Sequence, residues 1–118
     1  MVLTNKYLQE IVEKLKPLKP YKIILFGSFA SGKQDEESDL DILVILDSDK
    51  IAKSFEDKLK IKIKVRQSVY DLSKKVPIDL IVYTRAEYDI LFQNKNSFIR
   101  EIENNGKVLY ERTDQVLA

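Results

Sequence analysis

Residues 24–46 read ILFGSFASGKQDEESDLDILVIL. An apolar segment ends in Gly27-Ser28, a polar and acidic turn follows, and a second apolar segment opens on Asp39, Leu40 and Asp41. Strand residues i and i+2 share a face, so Asp39 and Asp41 project together. Two carboxylates in so apolar a setting repel each other and are costly to desolvate, and a divalent cation between them removes that cost.

Working outward, Lys22–Phe26 and Leu40–Leu46 are predicted strands, joined through Gly27–Ser38 as a turn or very short helix. Upstream, Leu8, Ile11, Val12 and Leu15 recur at helical spacing, predicting a helix over 4–16 that Pro17 and Pro20 close. Downstream, KLKIKIKV over 58–65 alternates as a strand does. Yet Ile61, Val65, Val69, Leu72 and Val76 fall on one helical face, with no Gly, Pro or Asn from Ile51 to Val76, so one long helix is expected there. Lys58 and Lys62 flank its apolar stripe, either reaching inward over a cleft or running along the core edge to water.

Pro77 ends that helix and Ile78–Tyr83 is a third strand. Thr84-Arg85-Ala86-Glu87 has capping-box spacing and starts another helix. Asn94 and Asn96 break it, Ser97 restarts it through Glu103, Gly106 ends it, and Lys107–Glu111 is a last strand before a loose tail over 113–118. The order predicts an α+β fold: a mixed sheet of about four strands flanked by helices, one domain over 1–112.

Composition narrows the chemistry. The 118 residues contain no Cys and no His. This excludes disulfides, thiolate zinc sites, a Ser-His-Asp triad and imidazole ligands. Asp35–Asp49 holds seven acids and no bases, whereas Lys50–Lys75 holds nine bases and three acids. That asymmetry suits a metal site beside an anion-binding surface, or simply a solvated charged helix. No run spans a bilayer and no signal peptide is visible, so a cytoplasmic location is expected.

A donor set without His or Cys suits Mg²⁺ or Mn²⁺. Asp79 is a further isolated acid within an apolar strand, PIDLIVY. Were its strand beside the first pair, the three carboxylates could hold two metals roughly 3.5–4 Å apart, as in-line phosphoryl or nucleotidyl transfer requires. The Gly27-Ser28 turn offers backbone N–H groups and a hydroxyl to phosphate oxygens, and Gly32 lets the chain turn back.

Gly27-Ser28, Gly32, Ser38-Asp39 and Asp41 match G-S-x3-G-x5-S-D-x-D, the pattern of the nucleotidyltransferase superfamily related to DNA polymerase beta. Within it the chain resembles the minimal nucleotidyltransferases, the MNT or MntA-type antitoxins, over most of its length, including Asp79 and the closing FIREIENNGKVLYER. The resemblance implies a nucleotidyltransferase fold, ATP or another NTP as donor, and two Mg²⁺ ions. It implies metal and catalytic roles for Asp39 and Asp41, and a base or second-metal role for Asp79. It implies nucleotide-binding positions at Gly27, Ser28, Gly32 and Ser38. Phe29 and Ser31 stand where the family often carries a polar or basic residue. The implied partner is a HEPN-type toxin whose tyrosine is adenylylated, within a homo- or hetero-oligomer. Other readings are a binding module that neutralises a partner by contact, and transfer to a small molecule or RNA. A nucleic-acid binder using Lys50–Lys75 fits the charge but lacks interleaved aromatics.

Overall fold

The computed structural model describes residues 5–27, 30 and 39–112. The first helix, α1 (Asn5–Leu15), runs into a short 3₁₀ turn at Lys16–Leu18. Lys19 follows in the left-handed region, φ 56°, and redirects the chain into β1 (Pro20–Phe26). The next strand, β2 (Leu40–Leu46), leads through a connection to α2 (Phe55–Ser68) and the single turn α3 (Tyr70–Ser73). Then come β3 (Ile78–Thr84), α4 (Arg85–Gln93), α5 (Ser97–Asn105) and β4 (Lys107–Glu111).

The strands form one mixed sheet of order β3-β2-β1-β4. β1 lies antiparallel to β2 and β4, while β2 and β3 are parallel, joined by the α2–α3 crossover. The expected mixed α+β sheet with flanking helices is therefore the observed architecture.

Alternation along the strands divides the core into two layers. Ile23, Leu25, Ile42, Val44, Leu80 and Val82 face α1, α2 and α3, meeting Ile11, Leu15, Val65, Val69 and Leu72. Ile24, Leu43 and Ile45 face the other way and meet Tyr88, Ile99 and Ile102 of α4 and α5. Each buried aliphatic side chain contributes about 1.5–3 kcal/mol against the chain entropy lost on folding.

The crossover departs from expectation. A helix over Ile51–Val76 would run about 39 Å at 1.5 Å per residue, whereas a seven-residue strand spans about 23 Å. Instead α2 begins at Phe55, where the Ser54 hydroxyl accepts the Asp57 N–H at 3.2 Å. The preceding amides are committed elsewhere: Lys50 N–H to Ser48 Oγ, and Ala52 N–H to Glu87 Oε2. At Val69 the backbone leaves the helical region (φ −114°, ψ 13°), and the chain turns so that Leu72 and Val76 still reach the core.

The predicted capping box forms at α4. Glu87 N–H donates to Thr84 Oγ1 at 3.2 Å, and Thr84 N–H donates to Glu87 Oε1 at 2.9 Å. At α5 the cap is Asn96, whose side chain accepts the N–H groups of Phe98 and Ile99. Gly106 does end α5, but at φ −73° its backbone needs no glycine. A Cβ there would meet the Ile102 carbonyl oxygen at 2.6 Å and Ile24 Cγ2 at 2.8 Å, so space is the constraint. The tail over 113–118 lies outside the described residues.

Candidate active site

Asp41 and Asp79 are direct partners across the parallel β2–β3 pair. Both share parity with the strand residues that face α4 and α5, namely Leu43 and Ile45 on β2 and Ile81 and Tyr83 on β3. They sit at the start of their strands, ahead of the part of that face covered by apolar side chains. Asp39 lies two residues before Asp41, exposed at the mouth of the sheet. Across the antiparallel pair Phe26 opposes Asp41, which brings Gly27, the next residue, against the Asp41 carboxylate. Gly27 has φ 75°, a left-handed conformation that side chains disfavour.

Electrostatics make the cluster a unit. Asp41 is held above the ordinary aspartate value, first by burial, then by the charge of Asp79, then by that of Asp39. Each of the three carboxylates expected from sequence therefore belongs to one field of like charge. Phe26 and Phe98 close the apolar side, ring edge to ring face at 5.4 Å and 85°. Sequence reading missed this wall. Phe26 could have been found from its place directly before the Gly-Ser turn, but Phe98 carries no such signal.

The donor set fits a hard divalent cation in charge and atom type, because a cation is what would relieve the repulsion on Asp41. Among the described residues, however, no group of three or more acids is drawn together tightly enough to hold a metal ion. Asp39, Asp41 and Asp79 are neighbours in register rather than a closed ligand cage. Ser28, Gly32 and Ser38, the other expected nucleotide-binding positions, lie outside the described residues, as do Phe29 and Ser31.

Two further features stand apart from the acids. The Lys58 ammonium lies 5.0 Å from the centre of the Tyr83 ring, at the far end of β3 from Asp79. It runs along the edge of the sheet and does not reach over the carboxylates. A cavity of about 1020 Å³, lined by Lys19, Leu46, Ser48, Ile51, Ile61 and Thr84 among others, opens at that same far end. Its size is no guide to the chemistry, since none of the three acids lines it.

Comparison with known proteins gives the family and the fold. Residues 6–115 match the family model described as polymerase beta, nucleotidyltransferase. Two proteins of Methanocaldococcus jannaschii are similar in sequence. "Putative protein adenylyltransferase MJ0141" is 40% identical over 85 residues, covering 72% of this chain and 74% of that protein. "Putative protein adenylyltransferase MJ0604" is 37% identical over 113 residues, covering 90% of this chain and 97% of that protein. Among solved structures, a toxin–antitoxin with AMP-PNP shares the fold at TM-score 0.55 and 19% identity, covering 90% of this chain and 74% of that one. A mutant MntA-HpeT toxin–antitoxin does so at TM-score 0.53 and 17% identity, with the same coverage. With a mixed sheet that aligns Asp41 with Asp79, and a family model spanning nearly its whole length, the chain belongs to the polymerase beta-like nucleotidyltransferase family and is an enzyme of the nucleotidyltransferase class.

Proposed function

We propose that this nucleotidyltransferase is a protein adenylyltransferase that moves AMP from ATP to a tyrosine hydroxyl of a HEPN-type toxin, acting in the cytoplasm as its antitoxin. The observation that carries the reading is the side-by-side placement of Asp41 and Asp79, with Asp39 close enough to perturb Asp41. The names of the M. jannaschii relatives support protein adenylylation, and the toxin–antitoxin neighbours support a toxin as acceptor.

In the reaction the tyrosine oxygen attacks the α-phosphorus of ATP. The bond to the bridging oxygen breaks, and pyrophosphate leaves with that bond's electrons. Asp79, exposed on its strand, accepts the hydroxyl proton, and Gly27, with no side chain, leaves room beside the turn for the Asp41 carboxylate. Asp39 and Asp41 would hold Mg²⁺, which when bound neutralises the triphosphate and lowers the pKa of the attacking hydroxyl. Phe26, opposite Asp41 in register and packed on Phe98, gives one side of the site an apolar neighbour.

The test is transfer of label from α-phosphate-labelled ATP, with Mg²⁺, to a HEPN-type toxin and to its tyrosine-to-phenylalanine variant. Label is expected on the former alone, and it should be lost in the Asp39→Ala, Asp41→Ala double variant. Undiminished labelling by that variant would sink the assignment. Tight toxin binding without any transfer would instead identify a module that neutralises by contact.

A further inference from the structure

The KLKIKIKV alternation, folded as a helix, produces two apolar stripes. At 3.6 residues per turn, Ile61 and Val65 fall on one side of α2, and Leu59 and Ile63 on the other, in line with Phe55. The first stripe enters the core against β3 and α1. The second faces solvent: Phe55 is 80% exposed, Leu59 43% and Ile63 44%. Lysines alternate with these residues, so they too form two rows. Lys62 runs along one flank of the exposed stripe, beside Lys58, whose ammonium is held over the Tyr83 ring; Lys60 and Lys64 run along the other, at the rim of the cavity that Asp57 also lines. No described carboxylate lies within ion-pairing distance of any of the four. Lys58 and Lys62, and Lys60 and Lys64, are i,i+4 pairs of like charge, the second headed by Glu56 one turn before Lys60.

We infer that this face of α2 is a docking surface for a partner protein that presents an acidic amphipathic helix: an apolar stripe flanked on both sides by Asp or Glu. Such a helix covers Phe55, Leu59 and Ile63 and sets a carboxylate row against each lysine row, relieving both apolar exposure and like-charge repulsion. Charge argues against a second copy of this chain as the occupant, since two α2 faces would oppose lysine to lysine. Three apolar residues form a narrow stripe for a bilayer, which favours a helix-sized partner over a lipid surface. The inference rests on the reading that the chain acts on a partner protein, and it places the grip on that partner outside the carboxylate cluster.

The test uses the full chain and a fluorescent synthetic helical peptide with leucines on one stripe and glutamates on both flanks. A peptide of the same leucine pattern with lysine flanks is the control. Anisotropy titration should show binding of the glutamate peptide alone. Leu59→Gln with Ile63→Gln should weaken it by at least about tenfold, and Lys60→Glu with Lys64→Glu should weaken it similarly while admitting the lysine peptide. All these side chains are exposed, and unchanged melting and unchanged ATP binding confirm that fold and catalytic site are intact. Equal binding of both peptides, binding of neither, preference for anionic vesicles, or self-association abolished by the Leu59→Gln variant would each overturn the docking surface. The two readings fail separately. Peptide binding by a chain that transfers no AMP leaves the docking surface standing. Transfer to a HEPN-type toxin at wild-type KM by the Lys60→Glu, Lys64→Glu variant removes it.

Discussion

A Cβ placed on Gly27 would lie 2.1 Å from Oδ2 of Asp41. The turn and the central carboxylate are therefore fitted to one another, and the hydrogen-only side chain at Gly27 leaves the room that Asp41 occupies. Backbone conformation adds to the constraint, since Gly27 sits at φ 75°. Gly27→Ala is expected to cost about 1–2 kcal/mol for the left-handed backbone. It should also push the Asp41 carboxylate aside, because that carboxylate can rotate where backbone cannot. Nucleotidyl transfer should fall at least about a hundredfold, more than the small loss of folded protein explains. Denaturant melts beside initial-rate assays of the same preparation separate the two effects.

The role of Asp79 is distinguishable from that of its neighbour. It is exposed and opposes Asp41 in register, so Asp79→Asn keeps the shape and removes one charge. If Asp79 accepts the acceptor's proton, kcat should drop by about 10²–10⁴-fold, while ATP affinity changes little. Equal losses in kcat and in nucleotide binding would place Asp79 in triphosphate binding instead.

The raised pKa of Asp41 is a statement about stability. Its folded value lies above the ordinary 3.8, through burial and then the charges of Asp79 and Asp39. The folded state therefore holds more protons than the unfolded state between those two values, and stability falls as pH rises through that window. Above it the penalty is fully present; below 3.8 it is absent. In chelator, Asp41→Asn should raise Tm at neutral pH and leave it unchanged in acid below the ordinary aspartate value. Thermal melts of both proteins at the two pH values check the sign, and a lower neutral Tm for the variant would contradict it.

What was legible in the sequence followed from strong local energetics. Branched residues in short runs bounded by Pro and Gly mark the strands, and carboxylates inside such runs mark the candidate site, because each is costly to bury. Asp79 stands out within its own run, PIDLIVY, without reference to the pairing of β2 with β3. The crossover was harder. KLKIKIKV satisfies both periods, since a residue pattern of two puts apolar side chains on both faces of a helix. Its break at Val69 is dictated by strand length, a tertiary quantity that no local window contains. Gly106 does mark a helix end, but for want of space rather than for backbone conformation, and its neighbour Ile24 lies far away in sequence. The sequence leaves Lys58 either reaching over a cleft or skirting the core, and its position is decided by Tyr83, a residue of another element that lies beneath it.

Glu87 joins the two connections that follow β2 and β3. One carboxylate oxygen accepts the Thr84 N–H at 2.9 Å and closes the capping box of α4. The other accepts the Ala52 N–H at 3.2 Å, from the segment leading to α2. Substitution by Ala leaves both amides to find water, in a region where Thr84 is almost fully buried. Each lost bond costs about 0.5–1.5 kcal/mol, with charge-assisted bonds toward the upper end. Glu87→Ala is therefore expected to destabilise the fold by about 1–3 kcal/mol, and Glu87→Gln by less, since the amide oxygen retains one acceptor. Because Ala52 lies just ahead of α2, hydrogen exchange at residues 50–56 should rise in Glu87→Ala before exchange in the strands does. Exchange that rises uniformly across the sheet would show that Glu87 supports the whole fold rather than this junction.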